Sequence, residues 1–118
     1  MSGSKYVLDT NTVLYLLGGR IRVGDIPAGD YCISFITELE LLVYPKLSPI
    51  EHAVIQAYLN TVPVFDINGE IKRATVALSR EHRLKLPDAI ICATAQCIRA
   101  RVLTFDKRLA RVGLVTVL

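Results

Sequence analysis

The chain has 118 residues, of which 52 % are hydrophobic and 21 % charged. That is enough for one domain with a full core, and it argues against an intrinsically disordered segment. The formal net charge of +3 is uneven: residues 1–59 hold four Lys/Arg against six acids, and residues 60–118 hold ten against five. A basic second half suggests a polyanionic partner, although a solvated helix surface would look the same. Charged or polar residues break every apolar run before it reaches membrane-spanning length. The start MSGSKYVLD lacks the basic, apolar and small-residue sections of a secretory signal. Cys32, Cys92 and Cys97 stand in apolar surroundings, as reduced packed thiols of a cytoplasmic protein would. His52 and His82 offer no zinc-ligand spacing.

Lys5-Tyr6-Val7-Leu8 reads as a short buried strand and Thr12 to Leu17 as a helix stopped by Gly18-Gly19. Residues 20–30 form a loop, Tyr31 to Ile33 a second strand, and a helix runs from about Phe35 to before Pro45. Ser48-Pro49-Ile50-Glu51 is a helix start: Ser48 caps, Pro49 needs no donor there, and Glu51 reaches back. That helix extends to about Asn60. Val62 to Phe65 is a third strand, placed at an edge or a strand start by Pro63. Asn68 caps a helix to about Arg83, Pro87 opens one to about Arg101, and Val102 to Thr104 and Leu114 to Leu118 are the last strands. Strands alternating with helices imply one α/β domain over 1–118 with a mainly parallel sheet of four to five strands.

In such a sheet, ligands gather at the carboxyl ends of the strands. Asp9 follows the first strand, Asp88 is the second residue of a helix, and Asp106 lies two residues past Thr104. Glu38 and Glu40 sit in the first turns of the helix after the second strand. Singly, each has an ordinary explanation as a helix cap, a dipole partner, a turn former or a solvated surface. Asp9 and Asp88, however, lie in apolar sequence, where unpaired charge is costly. Converging carboxylates repel unless a cation binds them, and hard oxygen ligands select Mg²⁺ or Mn²⁺. Residues two apart on a helix point nearly opposite ways, so one glutamate faces the pocket. Both helix faces are mixed, and periodicity does not choose between them.

The segments YVLDTNTVLYLL, ISFITELELL, LPDAIICATA and LTFDKRL, in this order, resemble the motifs of PIN-domain ribonucleases, and most of all VapC toxins. The resemblance spans nearly the whole chain and implies a three-layer α/β/α fold. It selects Glu40, through Ser34, Thr37 and Glu40-Leu41, and implies an acidic metal cluster of Asp9, Glu40, Asp88 and Asp106. Thr10, Asn11 and Thr104 fill site-orienting positions. Tyr44-Pro45 departs from the Tyr-Gly common in the family. The resemblance implies Mg²⁺- or Mn²⁺-dependent hydrolysis of RNA, a homodimer, and silencing by a VapB-like antitoxin. Leu14, Leu17, Leu41, Leu42 and Ile55 are candidates for the antitoxin groove. Arg80, Arg83, Lys85, Arg99, Arg101 and Lys107 are candidates for holding the RNA backbone.

Two other readings compete. Asp9-Thr10-Asn11-Thr12 approaches the D-x-D-x-T motif of haloacid-dehalogenase-like phosphatases, but Asn11 replaces the second acid and the chain is short for that fold. A PIN fold used only for binding, or a receiver-like module, is the other.

Overall fold

A computed structural model describes residues 3–118. Five strands form one sheet in the order β3-β2-β1-β4-β5, and every neighbouring pair is parallel. The strands are β1 (Lys5–Leu8), β2 (Asp30–Ser34), β3 (Val64–Phe65), β4 (Arg101–Thr104) and β5 (Val115–Val117). The helices are α1 (Thr10–Leu17), α2 (Phe35–Leu42), α3 (Pro49–Leu59), α4 (Gly69–His82) and α5 (Leu86–Cys97).

Side-chain alternation along the strands separates the core into two layers. Val7, Cys32 and Val102 face a cluster that includes Ile71 and Leu78 of α4 and Ala89, Ile91 and Ala93 of α5. Leu8, Ile33 and Leu103 face the opposite cluster, with Val13 of α1, Leu41 of α2 and Ile55 of α3. Helices therefore cover both faces of the sheet, the three-layer arrangement expected of buried parallel strands. The three cysteines are unpaired. Burial pushes the Cys32 thiol up to about 11 and the Cys92 thiol up to about 12, so both act as packed neutral groups.

The chain walks from β1 outward through β2 to β3, then returns to the far side of β1 for β4 and β5. The reversal leaves a crevice at the carboxyl end of β1, where ligands bind in open parallel sheets.

Several element boundaries differ from expectation. Helix α1 starts at Thr10, not Thr12, because Asp9 itself is the cap and accepts from the Thr12 N–H. Strand β3 holds only Val64 and Phe65; Pro63 stays outside it, contributing its carbonyl to the Ile33 N–H at 3.0 Å. Helix α5 stops at Cys97 rather than near Arg101. Arg99 adopts a left-handed φ of 58°, and Ala100 N–H reaches back to Ala95 O at 2.8 Å. This is a Schellman turn without glycine, which sequence signals for helix ends do not reveal. Strand β5 spans Val115–Val117, trimmed at each end from the expected Leu114 to Leu118.

Candidate active site

Asp9 is the last residue before α1 and is buried. One carboxylate oxygen accepts from Thr12 N–H at 2.9 Å and from Thr12 Oγ1 at 2.6 Å. The other accepts from Thr104 Oγ1, at the end of β4. Thr104 Oγ1 in turn accepts from the Asp106 N–H at 3.0 Å. Capping is thus one duty of Asp9; these donors also fix its carboxylate at the crevice.

Thr10 Oγ1 donates to Glu40 Oε1 at 2.6 Å, with Thr37 Oγ1 3.1 Å away. Thr37 is fully buried and anchors this contact beneath α2. Glu40, not Glu38, is the glutamate at the crevice. Asp88 lies in the first turn of α5 beside Pro87. Its carboxyl is raised above the ordinary value by burial first, then by Asp106 and Asp9, with Glu40 adding and Arg108 opposing.

Asp9, Thr10, Asn11, Glu40 and Asp88 line one open cleft of about 330 Å³, closed by Leu14, Tyr44, Pro45 and Ile91. Tyr44-Pro45 is therefore part of the wall. Asp106 lines a neighbouring groove of about 110 Å³ that shares Asp88 with the cleft. There Arg108 grips Asp106 through two nitrogens, at 3.0 and 2.8 Å, and holds its carboxyl below the usual range. Among the described residues, no three His, Cys, Asp or Glu groups are grouped closely enough to hold a metal ion together. The acids ring the cleft rather than grouping at one point. The acidic side chains of the cleft are carboxylates with no His or Cys among the lining residues, a set that suits a hard divalent cation.

The basic candidates divide by topology. Arg83 and Lys85 line the groove with Asp88, Asp106, Arg108 and Arg111. Lys107 is exposed one residue beyond Asp106, and Arg80 is exposed in the last turn of α4. Arg101 opens β4 at the end remote from Thr104, and its guanidinium binds Thr116 Oγ1 and Val115 O. Arg99 precedes it at that same remote edge. The structure therefore does not bring Arg99 and Arg101 to the acids. Of the apolar groove candidates, Leu41 is fully buried and Leu42 exposed, whereas Leu14, Leu17 and the nearly buried Ile55 line a shallow groove with Leu47, Ile50 and Val54.

Two functional side chains escaped the sequence reading. Thr12 was legible only as a helix start, yet it donates twice to Asp9. Arg108 carried no signal beyond standing two residues after an acid. Thr104→Val tests the hydroxyl link, since it keeps the shape and strands a buried carboxylate oxygen. It lowers unfolding stability by about 1–3 kcal/mol in denaturant titration. Unchanged stability would mean that Asp9 finds a replacement donor.

An open parallel sheet, a crevice at its switch point and acids drawn to that rim define the class. The PIN-domain family model matches residues 6–114, and the chain belongs to this family. Among solved structures, a toxin–antitoxin complex from Klebsiella pneumoniae contains a chain 32% identical, with a TM-score of 0.78, covering 94% of this chain and 95% of that one. VapBC from Salmonella typhimurium, bound to DNA, shares the fold at 22% identity and a TM-score of 0.80, over 98% and 97% of the two chains. VapBC-1 from nontypeable Haemophilus influenzae does so at 22% identity and 0.77, over 96% and 97%. No curated protein sequence matches this chain. Among the described residues, no helix is long and apolar enough to cross a membrane.

Proposed function

We propose that the chain is a VapC-like toxin that hydrolyses RNA phosphodiester bonds with Mg²⁺ or Mn²⁺ in the cytoplasm. It acts as a homodimer and is silenced by a VapB-like antitoxin. The observation that carries this reading is the meeting of Asp9, Glu40 and Asp88, from three distant segments, in one cleft.

Asp9 and Asp88 are the principal candidates to hold the cation, with Glu40 and Asp106 acting directly or through water. When bound, the cation activates water and offsets charge at the attacked phosphate. Thr12 and Thr104 keep Asp9 oriented, and Thr10 does so for Glu40. Asp88, whose carboxyl is raised by burial and then by Asp106 and Asp9, is an acid whose ionised form a bound cation would favour. Water is the nucleophile, so no Ser, Cys or His is needed. Arg83, Lys85 and Lys107 border the acids and hold the RNA backbone through charge. Leu14, Leu17, Ile50 and Val54 offer apolar contacts for an amphipathic antitoxin segment.

The test is cleavage of a mixed RNA pool by the purified, antitoxin-free chain, with Mg²⁺ and with EDTA. Mg²⁺-dependent cleavage is expected. Cleavage that survives EDTA overturns the metal mechanism. RNA binding without cleavage under any divalent cation identifies a PIN fold used for binding, and a covalent phosphoaspartate on Asp9 identifies the phosphatase reading.

A further inference from the structure

Three planar groups stack beside the acidic cleft without belonging to it. Helix α1 ends in a Schellman turn: Gly19 takes a left-handed φ of 77°, Gly19 N–H reaches Leu16 O at 3.2 Å, and Arg20 N–H reaches Tyr15 O at 2.9 Å. The turn folds Arg20 back so that its guanidinium lies over the Tyr15 ring, 4.3 Å from the centroid. Tyr15 meets Phe105 edge-on, with centroids 5.1 Å apart and planes at 71°. Phe105 stands between Thr104, whose hydroxyl holds Asp9, and Asp106. Tyr15 lies one helical turn beyond Asn11, which lines the cleft, so the two share a face of α1.

A pair serving only the core would be buried. Tyr15 and Phe105 are instead partly exposed, Arg20 is exposed, and the described ion pairs give Arg20 no carboxylate. Partly exposed aromatic rings beside a guanidinium with no described ion pair, next to the proposed nuclease cleft, match the way single-stranded nucleic acid is held. Bases stack on rings and on Arg planes while the charge tracks the backbone.

We propose that Arg20, Tyr15 and Phe105 form a stacking subsite for an unpaired nucleobase of the RNA, next to the bond that is cut. The subsite rests on the nuclease reading above and adds to it the side chains that receive one unpaired base beside the acids. The acids set the chemistry. The stack sets which stretch of backbone is presented to them.

The experiment compares binding of a short single-stranded oligoribonucleotide with the same backbone carrying abasic sites, by fluorescence anisotropy with Ca²⁺ replacing Mg²⁺. Cleavage is measured separately with Mg²⁺. The unaltered chain binds the base-bearing oligomer roughly tenfold more tightly, as one stacked base implies. Phe105→Leu and Tyr15→Leu, which keep apolar volume, reduce that preference to about twofold or less. Arg20→Gln, at an exposed position that does not endanger folding, lowers the slope of log affinity against log salt by about one. A chain that cleaves RNA but binds both oligomers alike, or a Phe105→Leu variant that keeps the preference, overturns the subsite and leaves the nuclease standing. A chain that shows the preference, loses it in the variants and cuts nothing keeps the subsite and removes the nuclease reading.

Discussion

Replacing Asp88 with Asn is expected to abolish most RNA cleavage while making the metal-free protein more stable. The activity loss follows from removing a charge that holds the proposed cation, whose stabilisation of the reacting phosphate is worth several kcal/mol. At about 1.4 kcal/mol per decade, that corresponds to roughly a hundredfold to a thousandfold in rate. The stability gain follows from electrostatics already in the fold. Burial, Asp106 and Asp9 raise the Asp88 carboxyl, so the folded chain binds this proton more readily than the unfolded chain. Its favourable contribution is present below the unfolded value, near pH 4, and is lost as pH rises through the higher folded value. At neutral pH the ionised group opposes folding. The measurements are cleavage rate with Mg²⁺ and melting temperature against pH with EDTA. The melting temperature of the original chain should fall over the window above pH 4, and Asp88→Asn should flatten that fall. Asp106 has the opposite sign, because Arg108 lowers its carboxyl, but that pair is exposed and contributes little. An Asn variant that is less stable with EDTA at neutral pH would contradict this account of the cleft.

Leu103→Ala is expected to cost about 2–5 kcal/mol of unfolding free energy in denaturant titration, the range for a large-to-small change in a packed core. Leu103 is fully buried on the middle strand pair, facing the layer that holds Val13 and Leu41. Its carbonyl accepts from Asp9 N–H at 3.3 Å and lies 3.2 Å from Thr12 Oγ1. A cavity here therefore loosens the backbone that seats Asp9, and Mg²⁺-dependent cleavage should fall with stability. Cleavage unchanged in a folded but destabilised variant would separate the core from the site.

Most strands and helices were legible because their signals are local. Ser48-Pro49-Ile50-Glu51 forms the capping box its spelling implies, with both reciprocal hydrogen bonds. Asp9 and Asp88 stood out as acids within apolar runs. Glu40 did not, because its position depends on how α2 rotates against α1, which is fixed by the buried Thr37 and the Thr10 contact rather than by periodicity. Asp106 was placed at the correct rim, but its grip by Arg108 belongs to a turn geometry no spacing rule encodes. Arg99 and Arg101 failed to join the acids for a reason of topology: they enter β4 at one end while the site forms at the other. The Schellman turn at Arg99 uses a non-glycine left-handed residue, so the usual stop signal for α5 was missing.

The hydroxyl of Thr104 and the carboxylate of Asp9 are 95 positions apart along the chain. Synthesis runs from the amino end, so β1 emerges early and waits for β4 before it gains its second neighbour. The cleft thus cannot assemble on a growing chain until Thr104 has been made. Any fragment ending before Thr104 lacks a seated Asp9. On the proposed nuclease reading, the order of manufacture is itself a safeguard: no Asp9 is seated for chemistry until the chain has been made past Thr104.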